Sequence, residues 1–169
     1  MNATPRFKVL FLCTGNSARS ILAEFILRKL AGDRFEVWSA GSQPRGTVHP
    51  LALRVLSETL RIDPTGARSK SLAELAGIDF DFVITLCDHA QETCPVWPQR
   101  TVVAHWGSPD PAAFVGGEED AFRFFFAVAS QIQRRIELMC NLPLATLDQA
   151  RRERLTRGIG QQEKLPGQT

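Results

Sequence analysis

The chain has 169 residues, 44% hydrophobic and 22% charged, with a net charge of +2, which excludes wholesale disorder and a broad polyanion-binding surface; no nucleic-acid partner is expected. That length suits one sizeable core. No window approaches a membrane-spanning run, and the apolar stretch near the N-terminus is too short for a signal peptide, so a cytoplasmic protein with no membrane partner and mostly reduced cysteines is expected.

Phe7 to Leu12 predicts a short buried strand, and Ala18 to Leu30 a helix that Gly32 and Asp33 end. Phe35 to Ala40 predicts a second strand closed by Gly41 and Ser42, and Pro50 to Leu60 a helix with proline in its first turn. Phe82 to Leu86 and Thr101 to Trp106 predict two more strands with a short segment between them. Glu118 to Met139 predicts a long helix that packs Phe122, Phe124, Phe125, Phe126, Val128 and Ala129 on the sheet. The alternation predicts an α/β three-layer sandwich, a four-stranded parallel sheet flanked by helices. Residues 1–142 read as its single domain. Residues 143–169 read as a polar appendage, partly helical or disordered. Within it Arg151, Arg152, Arg154 and Arg157 suit a solvated helix face, with a polyanion contact as the alternative.

The chemistry concentrates after the first strand. Cys13, five residues and then Arg19 place a thiol and a guanidinium at the two ends of a loop that opens a helix, where open parallel sheets bind ligands. Backbone N–H groups of Thr14, Gly15, Asn16, Ser17 and Ala18 can converge on a tetrahedral oxyanion, and Gly15 and Asn16 tolerate the positive φ this requires. Arg19 adds a planar fork for two anion oxygens. The same field favours the thiolate at Cys13, to which the Ser20 hydroxyl can add a hydrogen bond. The lysine of a nucleotide-binding Walker loop is missing. The plainer alternative is a buried strand-end cysteine beside a surface arginine.

This Cys-x5-Arg arrangement resembles the phosphate loop of the low-molecular-weight protein tyrosine phosphatases and of the arsenate reductases that share their fold. "SAGSQP" (Ser39 to Pro44), "VHPLALRVL" (Val48 to Leu56) and "RSKSL" (Arg68 to Leu72) are similar to this family's connecting segments in the same order, from about Pro5 to Cys140. The resemblance implies an oxyanion substrate attacked by Cys13, and an acid for the departing oxygen. Asp110 in "HWGSPDPAAF", on a proline-bracketed loop, is the candidate. In the phosphatases tyrosines typically follow the Asp-Pro and line a slot for the phosphotyrosine ring. Here Ala112 and Ala113 follow, and the chain has no tyrosine. "HWGSPDPA" is instead similar to the thioredoxin-coupled arsenate reductases.

"TLCDHAQETCPVWP" places Cys87 at the end of the third strand and Cys94 seven residues later. Reducing arsenate takes two electrons, which a protein can supply by passing from dithiol to disulfide. The resemblance implies a relay in which Cys13 attacks arsenate, Cys87 attacks Cys13, and Cys94 attacks Cys87, leaving a disulfide for an external dithiol. It implies arsenate as substrate with phosphate or sulfate as mimics, thioredoxin as electron donor with glutaredoxin and glutathione as second choice, no metal or cofactor, and a monomer. In a regular helix the α-carbons of residues 87 and 94 would lie about 10.5 Å apart, beyond the ~7 Å a disulfide spans, so the segment must bend between redox states. Pro95 and the short length permit it. A phosphomonoesterase and a non-catalytic oxyanion or redox sensor are the alternatives.

Cys87, His89, Cys94 and His105 invite comparison with a zinc site, but the wide Cys87 to Cys94 spacing argues against it. His89 and His105 read as loop and strand-end residues, Cys140 as core packing, and His49 before Pro50 as a turn residue. Glu24 and Asn16 are candidates for organising the loop, Asn16 through hydrogen bonds to its backbone.

Overall fold

The computed structural model describes residues 4–162 and 164–165. Four parallel strands, β1 (Phe7–Cys13), β2 (Phe35–Gly41), β3 (Phe82–Thr85) and β4 (Val102–His105), lie in the order β2, β1, β3, β4. β1 reads as an unbroken apolar run because it is central and covered on both faces. Val9, Phe11 and Cys13 face one apolar cluster, while Leu10 and Leu12 face the other.

The first face carries the long helices α1 (Arg19–Ala31) and α4 (Glu118–Cys140). α1 is buried from Ser20 to Leu27 because it lies between the sheet and α4. α4 buries Phe125, Val128, Ala129, Ile132, Ile136 and Met139, a stripe at helical spacing. Phe122 and Phe124 pack against the edge of that cluster. Phe126, expected on the sheet, is instead 39% exposed, because it follows Phe125 by one helical step and turns outward. The predicted second helix begins as α2 (Pro50–Arg54) and continues as a π-helical turn, Val55–Thr59. His49 caps it, its Nδ1 accepting from the Leu51 N–H at 3.1 Å.

The opposite face is covered more thinly. A 3₁₀ turn at Leu72–Leu75, then Ile78, Phe80, Cys94 and Trp97 cover Leu10, Leu12, Ala40 and Val83. Cys94 follows a short helix, α3 (Asp88–Glu92).

The described part of the C-terminal stretch packs on the sheet edge. Gln149–Ile159 form α5, capped by Asp148 and laid along the edge strand β4. The Trp106 indole donates to the Thr156 carbonyl at 2.9 Å, Thr156 and Ile159 are buried, and Arg157 Nε donates to Val103 O at 3.0 Å. The sequence concealed this because α5 carries few apolar residues and its anchor, Trp106, lies fifty positions away. Arg151, Arg154 and Arg157 are exposed as a solvated face; Arg152 departs from it, donating to Leu144 O at 2.7 Å with its guanidinium 5.1 Å from the Phe7 ring centre. Among the described residues no helix is long and apolar enough to cross a membrane.

Candidate active site

In the order β2, β1, β3, β4 successive strands are laid first to one side of β1 and then to the other, so the carboxyl ends of β1 and β3 frame a crevice. Cys13 ends β1, and Cys87 follows β3 by two residues. The loop between Cys13 and Arg19 is tied outward through its carbonyls. Cys13 O, Thr14 O, Gly15 O and Ser17 O accept from the N–H groups of Ser42, Gln43, Arg45 and His49, at 3.2, 2.9, 2.9 and 2.8 Å. In a trans peptide the next N–H points opposite to the carbonyl, so the N–H groups of Thr14, Gly15, Asn16 and Ala18 turn inward around the sulfur. The Asn16 N–H does reach Cys13 Sγ, at 3.2 Å. Gly41 makes the close packing possible, because a Cβ there would stand 2.5 Å from Thr14 O and 3.0 Å from Asn16 N.

Beneath the loop lies a buried polar network. Asn16, fully buried at φ 43°, donates from Nδ2 to Ser20 Oγ at 2.8 Å and to Ser39 Oγ at 3.0 Å, and its Oδ1 accepts from the Lys70 N–H at 2.8 Å. Ser20 Oγ lies 2.8 Å from Cys13 Sγ. That oxygen also accepts from Asn16, and against a Cys13 thiolate, which can only accept, the Ser20 hydroxyl is the donor. Ser39 donates to Glu24 Oε2 at 2.5 Å, and the Lys70 ammonium reaches Ser39 Oγ at 3.0 Å and Glu24 at 3.4 Å. Burial pushes Lys70 down from its ordinary range, and the Glu24 carboxylate opposes this. Asn16 and Ser20 therefore sit behind the cleft rather than in its wall, and Asn16 bonds neighbouring segments rather than its own loop. Lys70 and Ser39 were not singled out from sequence, although "RSKSL" and "SAGSQP" carry them.

The cleft itself, about 520 Å³, is lined by Cys13, Thr14, Arg19, Arg45, His89 and Asp110, with Gly15, Ser17 and Ala18 in its floor. Arg19 donates from Nη1 to Ser108 O at 2.9 Å, and its Nη2 stands 3.9 Å from Asp110 Oδ1. Asp110 Oδ1 accepts from the Ala112 N–H at 3.1 Å, which fixes the carboxylate at the head of a 3₁₀ turn, Pro111–Ala113. Arg45 is an addition to the predicted set: its side chain lies across Gly15, 3.2 Å from where a Cβ would be. His49 sits behind this wall, its ring against Phe125; burial and then the Arg45 charge push it below its ordinary value, with Asp110 opposing.

Cys87 caps α3, its Sγ accepting from the Ala90 N–H at 3.4 Å, and lies 3.3 Å from Thr14 Oγ1. The loop after β1 and Cys87 thus touch through Thr14. Cys94 is apart from both. Cys13 and Cys87 pack with the first apolar cluster, Cys94 with the cluster on the other face of the sheet, where the Trp97 indole donates to its Sγ at 3.1 Å. Burial pushes the Cys94 thiol up, opposed by the Trp97 hydrogen bond. His105 bonds Thr85 Oγ1 at 2.8 Å and Asp88 Oδ1 at 3.1 Å, and so pins the start of α3 to β4. Among the described residues no three His, Cys, Asp or Glu side chains gather to hold a metal.

Residues 8–153 match the sequence profile of the low molecular weight phosphotyrosine protein phosphatases. The chain belongs to that family. Within it, the arsenate reductase of Halalkalibacterium halodurans is 38% identical over 129 residues, 76% of this chain and 91% of its own. Among solved structures, an arsenate reductase in its phosphate-binding state aligns with a TM-score of 0.66 at 30% identity, covering 78% of this chain and 94% of that one. A thioredoxin-dependent arsenate reductase of Corynebacterium glutamicum aligns at 0.56 with 29% identity, covering 81% and 65%. Pro111, Ala112 and Ala113 follow Asp110.

Proposed function

We propose that this protein reduces arsenate to arsenite through Cys13, Cys87 and Cys94, and is returned to its dithiol state by thioredoxin. The observation that carries the reading is the contact of Cys87 with Thr14, the residue next to Cys13, while a third cysteine lies on the far face of the sheet. Arsenate reductases among its relatives, one of them thioredoxin-dependent, support it.

The Cys13 thiolate, facing donors from Asn16 and Ser20, attacks arsenic while Arg19 and the inward N–H groups hold the oxygens. Asp110 gives its proton to the departing hydroxyl, which leaves as water, and a Cys13–arsenic bond forms with arsenic still pentavalent. Cys87 then attacks Cys13 Sγ; the sulfur–arsenic bond breaks with its electron pair on arsenic, arsenite departs, and a Cys13–Cys87 disulfide forms. Cys94 attacks Cys87 Sγ, expels Cys13 as thiolate, and leaves a Cys87–Cys94 disulfide. Cys94 must leave the far face to do so, and α3 is short enough to unwind. The external dithiol takes up that oxidation in a reducing compartment such as the cytoplasm.

The test is arsenite formation by wild type, Cys13→Ser, Cys87→Ser and Cys94→Ser, each with thioredoxin and its reductase or with glutaredoxin and glutathione. Cys13→Ser should be inactive, and Cys87→Ser and Cys94→Ser should lose multiple turnover. Multiple turnover in Cys87→Ser would overturn the relay. Hydrolysis of an aryl phosphate with no arsenite formation by wild type would favour a phosphomonoesterase.

A further inference from the structure

Arg135 on α4 is charged, long and only 1% exposed, so its partners must compensate for the loss of water. They come from two distant segments. Nη1 donates to Trp106 O at 3.0 Å and Gly107 O at 2.9 Å; Nη2 donates to Gly160 O at 3.3 Å and Gln162 O at 3.2 Å. One guanidinium therefore joins the stretch leaving β4 to the stretch leaving α5. The first of these carries the acid loop: Ser108 O holds Arg19, Ser108 Oγ donates to Gln131 Oε1 at 2.8 Å, and Asp110 is two residues on. The second is seated on β4, where the Trp106 indole holds Thr156 O and a Cβ on Gly160 would overlap His105 O. Gln161 and Lys164 also wall a cleft of about 540 Å³ that includes Arg19, Ser108 and Asp110.

We propose that residues 149–162 belong to the active-site apparatus: acting through Arg135, they fix the loop that presents Asp110 and the carbonyl that orients Arg19. Arg135 is a positioning residue, since it touches neither the cleft's sulfur nor Asp110 but sets where the Asp110 and Arg19 side chains stand. The proposal rests on the assignment of Asp110 as the acid.

Gly160→Ala tests it away from Cys13, because the added methyl must lift the tail from His105 O. Arg135→Met cuts the same link from α4, with Arg135→Lys as the conservative control. For each, amide hydrogen exchange of residues 106–110 and 156–162 is measured beside the pH profile of arsenite formation. Exchange at 106–110 should quicken in Gly160→Ala and Arg135→Met. In both, kcat and kcat/KM for arsenate should each fall at least about tenfold, and the pH dependence of kcat should change. Arg135→Lys should recover part of the loss. Released exchange at 156–162 with wild-type exchange at 106–110 and a wild-type pH profile would overturn the proposal. If Gly160→Ala leaves the tail seated or does not fold, the same comparison in Arg135→Met and Arg135→Lys decides. Should wild type form no arsenite, the functional reading falls and the exchange data alone judge the coupling.

Discussion

Replacing Asn16 by aspartate reverses one hydrogen bond at the reactive sulfur while changing almost nothing in shape. Asparagine and aspartate both tolerate the left-handed backbone found here at φ 43°, and either oxygen can accept from the Lys70 N–H. The difference falls on Nδ2. It now donates to Ser20 Oγ at 2.8 Å, which leaves the Ser20 proton available to the Cys13 thiolate. A carboxylate oxygen in that place takes the Ser20 proton for itself and leaves the sulfur facing lone pairs. A hydrogen bond to a charged group contributes about 1.5 to 3 kcal/mol, so attack by Cys13 should slow by roughly ten- to a hundredfold in Asn16→Asp. Asn16→Ala separates this from stability. It leaves Ser20 free to donate to sulfur, but strands the buried Lys70 N–H and puts alanine at positive φ, together about 2 to 4 kcal/mol, or a melting temperature lower by about 4 to 16 °C. The assay is iodoacetamide labelling at neutral pH followed by mass spectrometry of the Cys13 peptide, beside thermal melting. Cys13 should label more slowly in Asn16→Asp than in Asn16→Ala, and both variants should melt below wild type, because a carboxylate at this buried position carries its own desolvation cost. Wild-type labelling of Cys13 in Asn16→Asp would refute the hydrogen-bond direction argued here.

Two further outcomes follow from titrating groups. Burial holds the Cys94 thiol above its ordinary value, so its packing stabilises the α3 segment at neutral pH and the contribution is lost as pH rises through the raised value; exchange of residues 88–97 should quicken in alkali in wild type and not in Cys94→Ala. Burial and Arg45 hold His49 below its ordinary value, so its cap on α2 is present above pH 6.5 and lost as pH falls through the lowered value. Wild type should then lose more melting temperature between neutral and acid pH than His49→Asn, whose side chain caps without titrating; equal losses would count against the cap.

The sheet and the loop were legible because local signals coincide with the fold: an apolar run that must be covered on both faces, then glycine, small polar residues and a helix start. What lay hidden is held by contacts between distant positions. α5 shows few apolar residues because its anchors are an indole and a buried guanidinium from β4 and α4, which no window of its own sequence contains. Lys70 reads as a surface lysine between serines, and only the approach of its segment to the end of β2, bridging Gly41 and Ser71, brings it under the loop. Asn16 was legible as a loop residue but not in its partners, which come from α1, β2 and the Lys70 segment. Phe126 fell on the wrong side because a run of three phenylalanines gives composition without phase.

The strand order explains how one fold can serve both phosphate-ester and redox chemistry. β1 and β3 are neighbours at the point where strand order switches sides, so a cysteine after β3 lands beside the loop that follows β1 without any change in the sheet. A cysteine seven residues further on lands across the sheet, under Trp97, because α3 carries the chain over the edge between the two faces. On the proposed reading that separation is useful: the sulfur meant for the external dithiol is kept protonated and away from the oxyanion until Cys87 has been oxidised. What must move is then a five-residue helix held at its start by the His105–Asp88 contact, and a helix of that length has no stability of its own. The sheet, the oxyanion loop and the Arg135 link can stay in place while the oxidation travels from one face to the other.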